Sequence, residues 1–163
     1  MASIRVGVAG LGKMGSAFAR RLIAQNFPVS VWDRTTERAS SFAGNAAAYA
    51  SLDEFLSAND VIVVSLSGDE AAHDVTLHRI LPAMLRTQVL VEMSTISPEM
   101  SETVEDAAHA RRIGFVSAPV VGSPDVVREG RATSLASGDR KAMDDVRSEL
   151  SAFGYLKLAT KVG

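Results

Sequence analysis

Gly10, Leu11, Gly12, Lys13, Met14 and Gly15 form a run whose glycine spacing suits a backbone grip on a pyrophosphate. In that reading Gly10 permits a tight turn, Gly12 lets the backbone approach the phosphates, and Gly15 lets a helix pack close to a sheet. A helix starting there adds free N–H groups and a partial positive charge. Asp33 follows at the offset where a carboxylate accepts hydrogen bonds from the adenosine ribose, which favours NAD. Arg34 beside it can instead pair with the 2′-phosphate of NADP, with Thr35 and Arg38 as further donors. A charge-assisted hydrogen bond contributes about 1.5–3 kcal/mol, enough for a tenfold preference, and Asp33 opposes it by repulsion. The balance leans to NADP over NAD. The bland alternatives are a glycine-rich turn that holds nothing and two solvated arginines at a helix start.

Other chemistry finds less support. A nucleoside triphosphate loop needs Ser or Thr after Gly-Lys, whereas Gly12-Lys13 is followed by Met14, so Lys13 reads as a solvated side chain. His73, His78 and His109 are the only histidines. His73 and His78 are five apart, a spacing that does not share one α-helical face, and no acid pair completes a metal set. No metal site is expected. Ser65, Ser67 and Ser94 lack the glycine elbow of a hydrolase nucleophile. Asp139, Asp144, Asp145 and Glu149, interleaved with Arg140, Lys141 and Arg147, read as a solvated helix face.

The elements needed to position the glycine turn follow from hydrophobic spacing. Ile4, Val6 and Val8 alternate as a strand, and Met14, Ala17, Phe18 and Leu22 fall at helical spacing from Lys13 to Asn26. Pro28 separates that helix from a strand at Val29 to Trp32. A helix over 35–44, a strand over 46–50, and a helix capped by Ser51 and Glu54 come next. Val61 to Val64 is apolar on both faces, as a central parallel strand must be. A helix is expected from Asp69, interrupted near Pro82, then a strand at Val89 to Val91 and a helix opened by Ser97-Pro98-Glu99. Strands at 115–117, 132–136 and 155–158 and a helix over 140–153 complete the pattern. Alternation of this kind predicts an α/β fold, doubly wound and Rossmann-like, with a mostly parallel sheet covered on both faces.

Composition bounds the rest. The 163 residues make one domain, and 47% hydrophobic with 22% charged residues excludes wholesale disorder. A net charge of -2 argues against nucleic-acid binding through bulk charge. With no cysteine, a disulfide scaffold, a thiolate zinc site and a cysteine nucleophile are all excluded. No apolar run approaches the ~20 residues of a membrane helix. A cytoplasmic protein without membrane partners is the expectation.

Taken together, these segments resemble the cofactor-binding domain of the β-hydroxyacid dehydrogenases, which include 3-hydroxyisobutyrate dehydrogenase, relatives of 6-phosphogluconate dehydrogenase and, as a related branch, imine reductases. The turn fits Gly-Leu-Gly-x-Met-Gly, and Val31-Trp32-Asp33-Arg34-Thr35 is similar to a strand end where NADP users show Asn-Arg-Thr. Glu92 to Pro98 resembles the segment passing the nicotinamide, and Ala118 to Ser123 with Gly130 and Ala132-Thr133 resembles the substrate-side loop. The resemblance implies that Leu66 and Ser67 line the cofactor, that Thr95 approaches the nicotinamide ribose, and that Val121, Gly122 and Ser123 face the substrate. It also marks departures. Val121 stands where the family has the serine that contacts the substrate carboxylate, unless Ser123 replaces it, and Asp33 stands for asparagine.

The family's catalytic lysine belongs to a Gly-x-x-x-Lys-x-x-Asn segment expected beyond Gly163, and Lys157 and Lys161 lie outside that motif. No catalytic residue is therefore expected in this chain. The helical C-terminal domain that completes the family's active site and homodimer is expected to be absent from it. The implied function is the NAD(P)-binding domain, residues 1–163, of an oxidoreductase acting on a β-hydroxyacid or related small carbonyl or imine compound. The alternative is a stand-alone nucleotide-binding or interaction module without activity.

Overall fold

A computed structural model describes residues 3–159, so Lys161 and Gly163 lie outside the described residues. The first half builds β1 (Val6–Ala9), α1 (Lys13–Ala24), β2 (Val29–Trp32), α2 (Thr36–Ser40), β3 (Ala47–Tyr49), α3 (Leu52–Ser57) and β4 (Val61–Val64). A helical rod follows as α4 (Asp69–Ala71), a π-helical stretch (Ala72–Ile80) and α5 (Leu81–Ala83). Then come β5 (Val89–Glu92), α6 (Pro98–Ala110), β6 (Gly114–Ser117), β7 (Val120–Val121) and α7 (Pro124–Arg128). β8 (Ala132–Gly138), α8 (Arg140–Ala152) and β9 (Gly154–Leu158) end the described chain.

The strands join in the order β3-β2-β1-β4-β5-β6-β8-β7, with β9 beside β8. Neighbours from β3 to β6 are parallel. β8 runs antiparallel to β6 and β7, and β9 returns parallel to β8 through α8. The order reverses between β1 and β4, and in such sheets a ligand crevice opens beyond the carboxyl ends of the strands at that point. The Rossmann-like doubly wound architecture expected from the sequence is therefore present.

Alternation within each strand splits the core into two layers. Val6, Val8, Val61, Val63, Val89 and Val91 pack on the side of α1 and α8, against Phe18, Leu22 and Phe153. Ala9, Ile62, Val64 and Leu90 face the other side, against Phe55, Val75, Ile80 and Val104. Both faces of β1, β4 and β5 are thus sealed from water, which is why β1, β4 and β5 up to Val91 read as unbroken apolar runs. The Ser97 cap forms as expected, and of the Ser51–Glu54 box only the serine half does. Ser51 Oγ accepts from the Glu54 N–H at 3.2 Å, and Ser97 Oγ accepts from the Met100 N–H at 3.1 Å.

Several expectations are corrected. The rod passes through Pro82, which sits in the first turn of α5 where a missing N–H is tolerated. β7 and α7 are too short to leave a periodic signal and were not expected. Asp139 is no solvated charge. Its Oδ2 accepts from the Phe115 N–H at 2.9 Å while His109 contacts its Oδ1 at 2.8 Å, tying α8 to β6. Glu149 is buried on α8 with one carboxylate oxygen unpartnered, and burial pushes its carboxyl above the usual range. Among the described residues no helix is long and apolar enough to cross a membrane.

Candidate functional site

The glycine turn leaves β1 at the point where the strand order reverses, and three backbone demands shape it. Gly10 has φ +94°, open only to glycine without strain, and a Cβ there would strike the Ser65 carbonyl. A Cβ on Gly15 would collide with the Gly10 carbonyl oxygen, so α1 can lie this close only with glycine at that position. A Cβ on Gly12 would meet no protein atom within 4 Å. The open side of the turn is therefore at Gly12, the N-cap of α1. The first-turn N–H groups lack intrahelical partners, and no acidic residue occupies that turn. The fit is that of an anion cradle.

A cleft runs across this turn. Gly10 to Gly15 form its floor, Trp32, Asp33, Arg34 and Arg38 one end, and Ser65, Leu66 and Ser67 a wall. Ala71 and Val75 from the helical rod close the far side. Of the residues expected around the cofactor, all those from Gly10 to Gly15 come together here with Asp33, Arg34, Leu66 and Ser67. Thr35 does not line the cleft; it caps α2 with its side chain exposed. Thr95 is exposed and also lies off the cleft, on the loop beyond β5. Trp32, Ser65, Ala71 and Val75 also line the cleft, though the sequence reading did not assign them to the cofactor. Trp32 and Ser65 adjoin named residues at strand ends and were legible from that position, whereas Ala71 and Val75 depend on how the rod is docked.

Asp33 lines the cleft where its offset places it, and it also has a structural task. Only 6% of the residue is exposed. Its Oδ2 accepts from the Leu11 N–H and its Oδ1 from the Thr35 N–H, both at 2.7 Å. The carboxylate thus staples the glycine turn to the end of β2, with Arg38 Nη1 3.9 Å from Oδ2. Arg34 and Arg38 are exposed at the rim, and no ion pair to Arg34 is found among the described residues.

The opposite wall is held from β5. The Leu66 N–H donates to Ser94 Oγ at 2.7 Å, and the Ser94 N–H donates to Glu92 Oε1 at 2.9 Å. Glu92 is 1% exposed with Oε2 unpartnered, and burial pushes its carboxyl up to about 7 against the hydrogen bonds from Ser94. The rod and α6 are joined nearby, where Ser97 donates its N–H and its hydroxyl to Asp69 at 2.8 and 2.6 Å. Those bonds hold the Asp69 carboxyl below its ordinary value.

The expected substrate-side residues sit on the chain leaving β6. Val121 is 63% exposed, Gly122 has φ +147°, and Ser123 caps α7 by accepting from the Val126 N–H at 3.3 Å. None of them lines the cleft. Ser123 is therefore a helix cap before it is anything else.

Comparison with known proteins agrees with this geometry. A family profile described as the NAD binding domain of 6-phosphogluconate dehydrogenase matches residues 5–163. The chain is 32% identical over 153 residues to the cytokine-like nuclear factor N-PAC of Danio rerio, covering 92% of this chain and 33% of that protein. It is 32% identical over 147 residues to the NADH-dependent oxidoreductase ucdB of Aspergillus ustus, covering 86% and 51%. Among solved structures, Psf3 in complex with NADP+ and 2-OPP superposes with a TM-score of 0.89 at 28% identity, covering 96% of this chain and 57% of that one. The chain thus spans about a third to a half of the curated relatives' length. A turn open at Gly12 at the switch point of a doubly wound sheet is what an NAD(P)-binding domain requires, and the chain belongs to the family of the NAD binding domain of 6-phosphogluconate dehydrogenase.

Proposed function

We propose that this chain binds NADP in preference to NAD and forms the cofactor-binding part of an oxidoreductase acting on a β-hydroxyacid or a related small carbonyl or imine compound. One observation carries the cofactor preference. Each oxygen of Asp33 already accepts from a backbone N–H in a nearly closed environment, which takes half of the carboxylate's acceptor capacity and weakens its hold on ribose hydroxyls. Arg34 and Arg38 stand at the open rim of the same end, where a 2′-phosphate gains charge-assisted hydrogen bonds. The relatives divide on this point, one being named for NADH and another holding NADP+, so the reading rests on the geometry of this chain.

In this reading Gly10 to Gly15 cradle the pyrophosphate, Arg34 with Thr35 and Arg38 meets the adenosine end, and Leu66 and Ser67 form the wall. Thr95 approaches the nicotinamide ribose, and Val121, Gly122 and Ser123 face the substrate. The bound cofactor supplies or takes the hydride, and the chain's own part is to bind and orient it. No catalytic residue is proposed within the chain. The outer face of β7, β8 and β9 exposes Val121, Leu135 and Tyr155. That surface supports a reading in which a further helical domain covers it and carries the acid/base group and the homodimer contacts, over a self-sufficient module. A cytoplasmic setting with a small-molecule substrate belongs to the same proposal.

Titration with NADPH and NADH, followed by ligand fluorescence, tests the cofactor reading. NADPH is expected to bind about tenfold more tightly. Absence of binding by either at millimolar concentration would sink it.

A further inference from the structure

The rod that closes the cleft carries a second cluster with its own chemistry. Ala72–Ile80 is wound as a π-helix, in which hydrogen bonds close from i to i+5. In an α-helix, residues five apart are turned about 140° from each other. The wider π winding brings them back over one another, so His73 and His78 share a face, contrary to the expectation from α-helical spacing. Their ring centroids are 4.5 Å apart at an interplanar angle of 66°, and their Nε2 atoms are 3.2 Å apart. The two rings therefore converge on their Nε2 edges.

We propose that His73 and His78 form a binding site for a divalent transition-metal ion of the zinc, nickel and copper group. His73 Nδ1 lies 3.0 Å from Asp74 Oδ1, so that nitrogen donates to the carboxylate and the Nε2 lone pair is left toward His78. A carboxylate behind an imidazole is how metal-binding histidines are oriented and made more basic. Two imidazole nitrogens held at 2.0–2.1 Å from one tetrahedral ion lie about 3.4 Å apart. The observed 3.2 Å is close to that bite without movement of the backbone. Without metal, one proton must sit between the two Nε2 atoms. The ion takes its place, and that proton moves to His78 Nδ1, leaving both rings neutral. Imidazole donors select these borderline ions over magnesium or calcium. Among the described residues no third histidine, cysteine or acid completes a cage, so water fills the remaining positions. Both ligands lie on the π-helical stretch, so the ion clips that winding in place.

Calorimetric titration of the cofactor-free chain with zinc chloride tests the site independently of the cofactor reading. One equivalent is expected to bind saturably and to raise the unfolding temperature. His78→Ala should abolish this while unfolding like the parent without metal, since the residue is exposed. Asp74→Asn should weaken binding about tenfold. His109→Ala should leave binding unchanged, as His109 is paired with Asp139 elsewhere. No saturable binding below millimolar zinc, or binding that survives His78→Ala, would overturn the proposal.

Discussion

Replacing Glu92 with glutamine isolates the effect of a buried acid beside the cleft. Glu92 is 1% exposed at the end of β5, and its Oε2 has no partner. Burial raises its carboxyl from the ordinary 4.5 to about 7, opposed by hydrogen bonds from Ser94. Below pH 4.5 the folded and unfolded chains both hold the proton, and the acid costs nothing extra. Between those two values the folded chain keeps a proton that the unfolded chain has released, so stability falls as pH rises. Above about 7 the penalty is complete and constant. The interval between the two values corresponds to about 3 kcal/mol. Glutamine keeps an acceptor for the Ser94 N–H and carries no charge at any pH. Urea unfolding of both proteins from pH 4 to pH 8 gives two stability profiles. Their difference should shift in favour of the variant by up to about 3 kcal/mol across that range, whatever fixed offset the new amide introduces. Parallel profiles would refute the assignment of the buried acid.

The remaining predictions address the turn, the rim and the acid limb. Asp33→Ala removes the acceptor of two backbone N–H groups and should cost about 3 kcal/mol in urea unfolding, with loss of NADPH binding. Gly15→Ala drives a methyl into the Gly10 carbonyl and should destabilise by about 1–3 kcal/mol. Gly12→Ala meets no protein atom and should keep stability within about 0.5 kcal/mol while NADPH binding falls, a contrast readable by pairing unfolding with titration. Arg34→Ala should weaken NADPH by about tenfold and leave NADH unchanged; equal losses for both cofactors would remove the 2′-phosphate role. On the acid side, the Arg5 side chain holds Asp60 below its ordinary 3.8, and Ser97 does the same for Asp69. Both contribute stability that is complete above 3.8 and is lost as pH falls from there through their lowered folded values, so Asp60→Asn should flatten the acid limb of the profile.

Much of this molecule is written locally. Val61 to Val64 and Val89 to Val91 announce buried parallel strands because a strand covered on both faces needs apolar residues at every position. Ser51 and Ser97 announce helix starts because a cap acts over three residues. The glycine turn is legible for the same reason. Its conformation and close packing are set by Gly10, Gly12 and Gly15 within half a dozen positions, and the cleft forms around them.

Legible from the chain alone, then, are the alternation of elements, the fold class and the position of the glycine turn, each a matter of neighbours along the chain. Tertiary structure alone decided the rest. Asp33 meets Leu11, Leu66 meets Ser94, and Asp69 meets Ser97 across gaps of 22, 28 and 28 residues. Those partners become available only when the strands stack in their order, and they give the Asp33 carboxylate two backbone N–H groups to accept from. The same holds for Glu92, whose burial depends on the layer packed over β5, and for His73 and His78. A period of 3.6 says they part; a rod wound in π register over Val64 and Leu90 brings them together.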